Sequence, residues 1–247
     1  MTYDTIIRNG RWFDGTGAPS AIRNIGIKGG QIAIVTPHDL DETDCADVLD
    51  ASGKWVLPGL LDIHTHYDVE VLLRPSLSES VRHGVTTITL GSCSLSTVHV
   101  DGVDAGDIFG RVEAIPRQYV IGAIDDRKTW SNCEQYITAL ESLPLGPNIS
   151  AFLGHSDMRT ATMGLDRATR REERPTRAEQ AQMERWLTDA MDAGFLGMSS
   201  MQLLFDKLDG EVCRSRTLPS TYAKPRELRR LKSILRSRGR VLQSGPD

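Results

Sequence analysis

Short apolar runs rich in β-branched residues recur along the chain after residue 56. They are LLDIHTH, GVTTITLGSCS, NISAFLGHSD, GFLGMSSM and GRVLQSG, and helical or irregular stretches lie between them. Apolar runs of this length, bounded by turn residues, are typical of buried strands. Strands that alternate with helices form parallel sheets on which the helices pack. The pattern therefore predicts an α/β fold for residues 57–247.

Two helices are predicted in this part of the chain from their start and stop signals. In the first, TRAEQAQMERWLTDAMDAG, Thr176 is the expected N-cap, Glu179 completes a capping box, and Gly194 ends the helix. In the second, KPRELRRLKSILRSRG, Pro225 stands near the start and Gly239 at the end. Both segments carry apolar residues at helical spacing, as expected for helices that cover a sheet.

The first 56 residues have a different pattern. The runs YDTIIRNGRWFDG, NIGIKGGQIAIVTP and ADVLDASGKWVLPG are β-rich and are broken by Gly, Asn and Asp, with no long helical period. We therefore expect a small β module over residues 1–56 and a second domain over residues 57–247.

The number of strand candidates limits the second domain. A closed (β/α)₈ barrel needs eight strands and typically about 250 residues for the barrel alone. Five strand candidates and fewer than 200 residues follow the β module. The sheet is therefore expected either to be open or to be part of a barrel. Because GRVLQSGPD ends the sequence just beyond a strand candidate, we interpret the chain as truncated or split.

Composition and charge restrict the kinds of partner. The chain has 247 residues, of which 39% are hydrophobic and 25% charged, and its formal net charge is −4. This balance gives no reason to expect a nucleic acid or an anionic membrane as partner. The basic run over residues 224–240 is interpreted as the solvated face of an amphipathic helix and not as a nucleic-acid patch. No apolar run reaches the length of a membrane span.

The N-terminus and the cysteines bear on location. The N-terminus MTYDTIIRNG lacks the basic and apolar regions of a signal peptide. The four cysteines are scattered and indicate free thiols in a reducing compartment, so we predict a cytoplasmic location.

The segment VLPGLLDIHTHYD, residues 56–68, contains the clearest chemical signal. Residues two apart on a strand point to one face, so His64 and His66 are expected to project together, with Thr65 opposite. Neutral imidazoles at the end of a buried strand suit Zn²⁺, although two histidines at this spacing also occur by chance. Cys93 ends the next strand candidate and is either a thiolate ligand or an ordinary buried cysteine.

These segments resemble a known family. DASGKWVLPGLLDIHTHYD is similar to the opening signature of the amidohydrolase superfamily, whose members are metal-dependent hydrolases on a (β/α)₈ barrel with a small β-sandwich. HTHYD, GVTTITLGSCS, NISAFLGHSDMR, DAGFLGMSSM and TYAKPREL, in this order, resemble the N-terminal half of the D-aminoacylase (N-acyl-D-amino-acid deacylase) branch. The resemblance implies a partial (β/α)₈ TIM-like barrel with a small N-terminal β-sandwich module.

The resemblance also implies a ligand set. His64 and His66 would bind a metal, Cys93 would be a further ligand, and the cofactor would be one or two Zn²⁺ ions. Many relatives use a bridging carboxylated lysine instead, and GFLGMSS holds no lysine. The usual GNCG of the branch is GSCS here. Two further histidine ligands and the general-base aspartate come later in the family, so the base is expected beyond residue 247.

Three residues are candidates for substrate binding. His155 in GHSDMR matches a family segment and is expected either to serve the substrate or to support its loop. Arg159 is expected to pair with a substrate carboxylate or to be solvated, and we favour the solvated state. Ser200 is expected to face the site, together with Ser199, as a hydrogen-bond donor. The remaining histidines, His38, His83 and His99, are expected at the surface.

The resulting functional hypothesis is a zinc-dependent amidohydrolase that hydrolyses the linear amide bond of small-molecule N-acyl-D-amino acids. One alternative is a cyclic amide hydrolase of the dihydropyrimidinase or dihydroorotase kind, against which Cys93 argues because those enzymes usually use the bridging lysine. Another is a non-catalytic fragment or one half of a two-chain assembly. The expected protein partners are accordingly a C-terminal half or a second copy of the chain.

Overall fold

The computed structural model describes residues 3–245. The chain divides into two units, and the first ends at Gly59. Within the described residues of this first unit, five strands form one β sheet. The strands are β1 (Thr5–Trp12), β2 (Ala21–Lys28), β3 (Gln31–Thr36), β4 (Asp47–Asp50) and β5 (Trp55–Val56). Their order is β3-β2-β1-β4, and β5 also pairs with β1. β1 is antiparallel to β2 and parallel to β4 and β5. The first unit is thus a β-rich module.

The second unit, from Leu60 onward, is built on a curled parallel sheet. Its strands are β6 (Leu60–Asp62), β7 (Val85–Leu90), β8 (Asn148–Gly154), β9 (Gly197–Ser200) and β10 (Val241–Ser244). They lie in the order β10-β9-β8-β7-β6, and every neighbouring pair is parallel. All five predicted strands are confirmed, and so is the predicted fold class of a partial barrel with a β-rich N-terminal module.

Helices connect the strands of the second unit. They are α1 (Glu70–Leu73), α2 (Ser78–Arg82), α3 (Gly102–Val112), α4 (Arg117–Arg127), α5 (Cys133–Glu141), α6 (His155–Met163), α7 (Leu165–Ala168), α8 (Arg177–Asp192) and α9 (Pro225–Ser237). Both predicted helices, α8 and α9, are confirmed. The capping box is present, since Thr176 accepts from the Glu179 amide and the Glu179 carboxylate accepts from the Thr176 amide. No helix within residues 3–245 combines the length and the apolar character of a membrane span.

The core of the second unit lies between the sheet and the helices. Ile88 and Leu90 of β7, Leu153 of β8 and Met198 of β9 are fully buried and share one hydrophobic cluster with Leu187 of α8. Burial of each such side chain contributes about 1.5–3 kcal/mol to stability. This packing holds the central strands, and therefore the residues that follow them, in fixed relative positions.

The first strand of the sheet does not have the burial that the sequence suggests. The apolar run before the histidine pair predicts a buried strand, but Leu61 is 67% and Ile63 is 70% exposed. β6 is an edge strand that pairs only with β7 among the described strands. Expecting this run to be buried was therefore wrong, because no further strand or helix among residues 60–245 covers these side chains.

Candidate metal centre

The two histidines of the HTH segment project together, just beyond the end of β6. β6 ends at Asp62, whose Oδ1 accepts a hydrogen bond of 3.3 Å from the His64 backbone N–H. Thr65 is buried and donates its hydroxyl to the Thr89 carbonyl of β7 at 2.8 Å. The His64 and His66 rings lie edge to face with centroids 5.3 Å apart. The expected common direction is therefore present, although both histidines follow the strand and are not part of it.

Cys93 lies in a 3₁₀ turn, Ser92–Ser94, that follows β7. Its Sγ is 3.1 Å from His64 Nε2. One ligand atom from each of His64, His66 and Cys93 can be chosen such that all three lie within 4.8 Å of one another. The parallel arrangement of β6 and β7 accounts for this, because it brings the carboxyl ends of neighbouring strands to one edge of the sheet. The structure thus places the three predicted ligands side by side, and ligation itself stays a prediction.

The ionisation of these groups bears on whether a cation fits among them. Burial, and then the nearby charge of His64, lowers the pKa of His66 to about 4, so its imidazole is neutral at pH 7. Burial, and then the carboxylates of Asp206 and Glu113, raises the pKa of Cys93 to about 12. Burial and Asp206 also raise the pKa of Glu113 to about 7. Without a cation the Cys93 thiolate is therefore strongly disfavoured, whereas a divalent cation would reverse that preference.

One buried polar atom in the cluster lacks a partner. His66 Nδ1 is buried and forms no hydrogen bond among residues 3–245, and the Glu113 Oε1 oxygen lies 3.5 Å away. A buried ring nitrogen without a partner is costly, and ligation or a tightened contact would remove the cost. Two imidazoles and a thiol are the donor set that Zn²⁺ prefers. The residues therefore fit a zinc ion.

The backbone around Cys93 is strained. Cys93 has φ of 53° and Ser94 has φ of 72°, both in the left-handed region, at a cost of about 1–3 kcal/mol for each residue. Gly91 has φ of 75°, and a Cβ atom there would lie 1.9 Å from the Phe152 carbonyl oxygen. A turn with these φ values persists only where neighbouring groups hold it in place. Here those groups include polar side chains from other segments of the second unit.

Two of those side chains are buried next to the turn. Asp68 is fully buried, and its carboxylate oxygens lie 3.0 and 3.3 Å from the Gly91 amide nitrogen. The Ser199 hydroxyl accepts from the Ser94 amide at 2.9 Å and donates to the Gly91 carbonyl. Asp68 stands two residues after His66, so it also connects the histidine segment to the Cys93 turn.

The three predicted substrate residues belong to one network around a buried carboxylate. His155 Nδ1 is 3.0 Å from Ser200 Oγ, and His155 Nε2 is 2.8 Å from Glu227 Oε1. Arg159 Nη1 donates to Glu227 Oε1 at 2.6 Å. Expecting Arg159 to be solvated was wrong, because the Arg159 side chain is fully buried against Glu227. Of the two roles expected for His155, these contacts favour support of its loop over service to the substrate. Substrate binding by the three residues stays a prediction.

Sequence reasoning missed Glu227, the centre of this network. A signal was present, because Glu227 stands four residues before Leu231 and therefore on the apolar face of α9. A charged residue on a buried face is informative because such residues are almost never fully buried unless paired.

The surface assignment of the remaining histidines was right for His38 and His83, which are exposed, and wrong for His99. The His99 ring is half-buried and stacks on Trp186 with centroids 3.9 Å apart. Its backbone amide donates to the buried Asp157 carboxylate at 3.0 Å. Asp157 also accepts from the Val98 and Val100 amides at 3.0 and 2.8 Å, so it fixes the loop that carries His99.

Comparison with known proteins gives both sequence relatives and structural neighbours. A scan of protein-family models finds no match to the chain. An uncharacterized protein of Mycobacterium tuberculosis is 60% identical over 247 residues, which are the whole of this chain and 40% of the relative. The N-acyl-D-glutamate deacylase of Alcaligenes xylosoxydans xylosoxydans is 32% identical over 197 residues, 80% of this chain and 37% of that protein. The chain thus spans about two fifths of the length of the curated relatives it matches.

Solved structures are similar to nearly all of the chain as well. The N-acyl-D-glutamate deacylase from Bordetella bronchiseptica, complexed with zinc and a phosphonate inhibitor, has a TM-score of 0.75 and 26% identity, over 99% of this chain and 45% of that protein. A D-aminoacylase described as defining a novel subset of amidohydrolases has a TM-score of 0.74 and 25% identity, over 97% of this chain and 44% of that protein.

Proposed function

We infer that the chain belongs to the D-aminoacylase branch of the amidohydrolase superfamily, to which its relatives and structural neighbours belong, and on this premise we propose that it provides the metal-binding part of a hydrolase that cleaves the amide bond of N-acyl-D-amino acids. The observation that carries the proposal is the cluster of His64, His66 and Cys93, whose donor atoms lie within 4.8 Å of one another. The names of the relatives support the substrate class, since they include deacylases of N-acyl-D-glutamate and N-acyl-D-aspartate.

The residues of this chain would hold one or two Zn²⁺ ions. When bound, such an ion supplies Lewis-acid polarisation of the scissile carbonyl and activation of water at neutral pH. His64 and His66 would bind as neutral imidazoles and Cys93 as a thiolate. Asp68 and Ser199 would keep the thiol in place through the Gly91 and Ser94 backbone. The general-base aspartate is still expected beyond residue 247, and a cytoplasmic location remains part of the proposal.

Metal content tests the centre directly. We expect the purified wild-type chain to contain about one or two zinc ions by elemental analysis, and Cys93→Ala and His64→Ala to lose most of this metal. Cys45→Ala is a matched control, because Cys45 is a free cysteine of the first unit whose thiol donates to the Asp47 carbonyl. Equal zinc in wild type and Cys93→Ala, with the chain folded, would disprove the ligand set.

The substrate class needs a separate assay. In a zinc-loaded, full-length version that carries the expected base, release of free amine from N-acetyl-D-glutamate is the expected activity, and N-acetyl-L-glutamate is the stereochemical control. Equal turnover of the two enantiomers, or turnover that His64→Ala leaves unchanged, would contradict a D-aminoacylase-like function.

A second candidate is that this chain is one half of an assembly and is inactive alone. The observation that favours it is the pair of open sheet edges: β6 and β10 each have one strand neighbour among the described residues, and Leu61, Ile63 and Val241 are more than half exposed. Unpaired sheet edges with exposed apolar side chains are sites of association. Light scattering of the purified chain would give a mass above one chain if two copies associate, and a monomeric mass would leave a C-terminal half as the expected partner.

A further inference from the structure

Gln243 connects the two segments that carry the proposed ligands, although it lies on the far edge strand of the sheet. Its Oε1 accepts a hydrogen bond of 3.3 Å from the backbone amide of Cys93. Its Nε2 donates to the Ile63 carbonyl at 3.2 Å and to Ser92 Oγ at 3.3 Å. One side chain on β10 therefore contacts both the residue before His64 and the Cys93 turn.

The curl of the sheet makes this contact possible. β10 and β6 are the two edges of the strand order, with β9, β8 and β7 between them. In a flat sheet of five strands the edges would be about 19 Å apart, since neighbouring strands lie about 4.8 Å from each other. A single glutamine side chain spans far less than that distance. The contact thus occurs because the carboxyl ends of the two edge strands curve toward each other.

The carboxamide has the chemistry that this position requires. The Cys93 amide is a donor and the Ile63 carbonyl is an acceptor, so a side chain that serves both must carry an acceptor and a donor. Glutamine has both at its end, whereas a carboxylate, a thioether or an alkyl group at the same place would leave at least one of the two backbone groups without this partner.

The contact acts on the proposed ligand itself. Asp68 binds the Gly91 amide before the turn and Ser199 binds the Ser94 amide at its end, whereas Gln243 binds the amide of Cys93, whose φ is 53°. A ligand in a disfavoured conformation keeps its direction only when its surroundings hold it there.

We infer that Gln243 is a positioning residue of the metal centre: it fixes the Cys93 thiol against His64 by joining the Cys93 amide to the Ile63 carbonyl. This inference rests on the proposed function, because it presupposes that His64, His66 and Cys93 bind a metal. It adds a residue from the opposite edge of the sheet, 150 positions away from Cys93 in sequence.

Cobalt binding to the complete 247-residue chain tests the inference. Co²⁺ can take the place of Zn²⁺, and a thiolate ligand gives it a charge-transfer band in the near ultraviolet that depends on the direction of the sulfur. Gln243→Met removes all three hydrogen bonds of the carboxamide and keeps the length of the side chain. Gln243→Asn keeps both groups but is one methylene too short to reach. Ser244→Ala is the control, because Ser244 lies on the same strand and its hydroxyl donates to the Gly245 carbonyl, away from the proposed ligands.

We expect Gln243→Met and Gln243→Asn to bind Co²⁺ about 10-fold to 100-fold more weakly than wild type, the range usual for residues that support a ligand. Their thiolate band should also shift or lose intensity, whereas Ser244→Ala should match wild type in both respects. Far-ultraviolet circular dichroism checks folding, and Gln243→Asn serves if Gln243→Met does not fold. Unchanged affinity and band in a folded Gln243 variant would overturn the inference alone. A folded wild type without a cobalt–thiolate band would overturn the proposed metal centre and this inference with it.

Discussion

Neutralising Glu227 is the perturbation whose effect on stability follows most directly from the structure. Glu227→Gln keeps the size of the side chain and removes the charge that faces Arg159, which is fully buried. Burial raises the pKa of Glu227, but the hydrogen bonds and electrostatic attraction of His155 and Arg159 outweigh it and lower the pKa from 4.5 to about 2. That difference corresponds to about 3 kcal/mol. Breaking a buried pair by removing one partner costs about 3–5 kcal/mol, so both routes lead to a similar loss.

Urea unfolding at pH 7, followed by circular dichroism, measures this loss as a change in the free energy of unfolding. Glu184→Gln is the matched control, because Glu184 also accepts from an arginine, Arg230, but at the surface, and its loss is expected to cost about 0–1 kcal/mol. Combining Glu227→Gln with Arg159→Met removes both buried charges and should cost less than Glu227→Gln alone. A loss from Glu227→Gln no greater than that of the control would refute the reasoning.

Two further predictions concern pH and backbone conformation. The pKa of Glu227 is lower in the folded than in the unfolded chain, so the stability that Glu227 contributes is present above about pH 4.5 and is lost as the pH falls through about 2. Urea unfolding between these pH values should show this loss in wild type. Glu227→Gln should lack that part of the pH dependence. Gly91→Ala should lower the melting temperature far more than Gly239→Ala. Both glycines have positive φ, but of the two only Gly91 lies where an added Cβ atom would clash with backbone, at the Phe152 carbonyl. Similar melting temperatures of the two variants would contradict this prediction.

Much of the fold follows from local sequence signals. The α8 helix begins where Thr176 and Glu179 form their capping box, and α9 begins at Pro225. Both are short-range features, because the groups involved lie within one turn of each other. The five strands of the second unit also match five apolar runs. The sequence could therefore predict an α/β fold, the positions of these five strands and those of the α8 and α9 helices.

Burial and pairing could not be predicted in the same way. The run that forms β6 looks like a buried strand, yet Leu61 and Ile63 are exposed because β6 is an edge. Arg159 was expected in solvent and is buried because Glu227, 68 residues later, lies against it. In both cases the deciding neighbour is distant in sequence, and no periodicity within the segment itself reports it.

The candidate site shows the same division. The sequence by itself determined the identities of His64, His66 and Cys93 as candidate ligands and the direction shared by the two histidines, because residues two apart in an extended chain point the same way. Only the tertiary structure decided that Cys93 lies 3.1 Å from His64, that Asp68 and Ser199 hold its turn, and that Gln243 reaches it from the opposite edge. The physical reason is range: hydrogen bonds and ligand contacts form only within a few ångströms, and the curl of the parallel sheet decides which distant residues come that close.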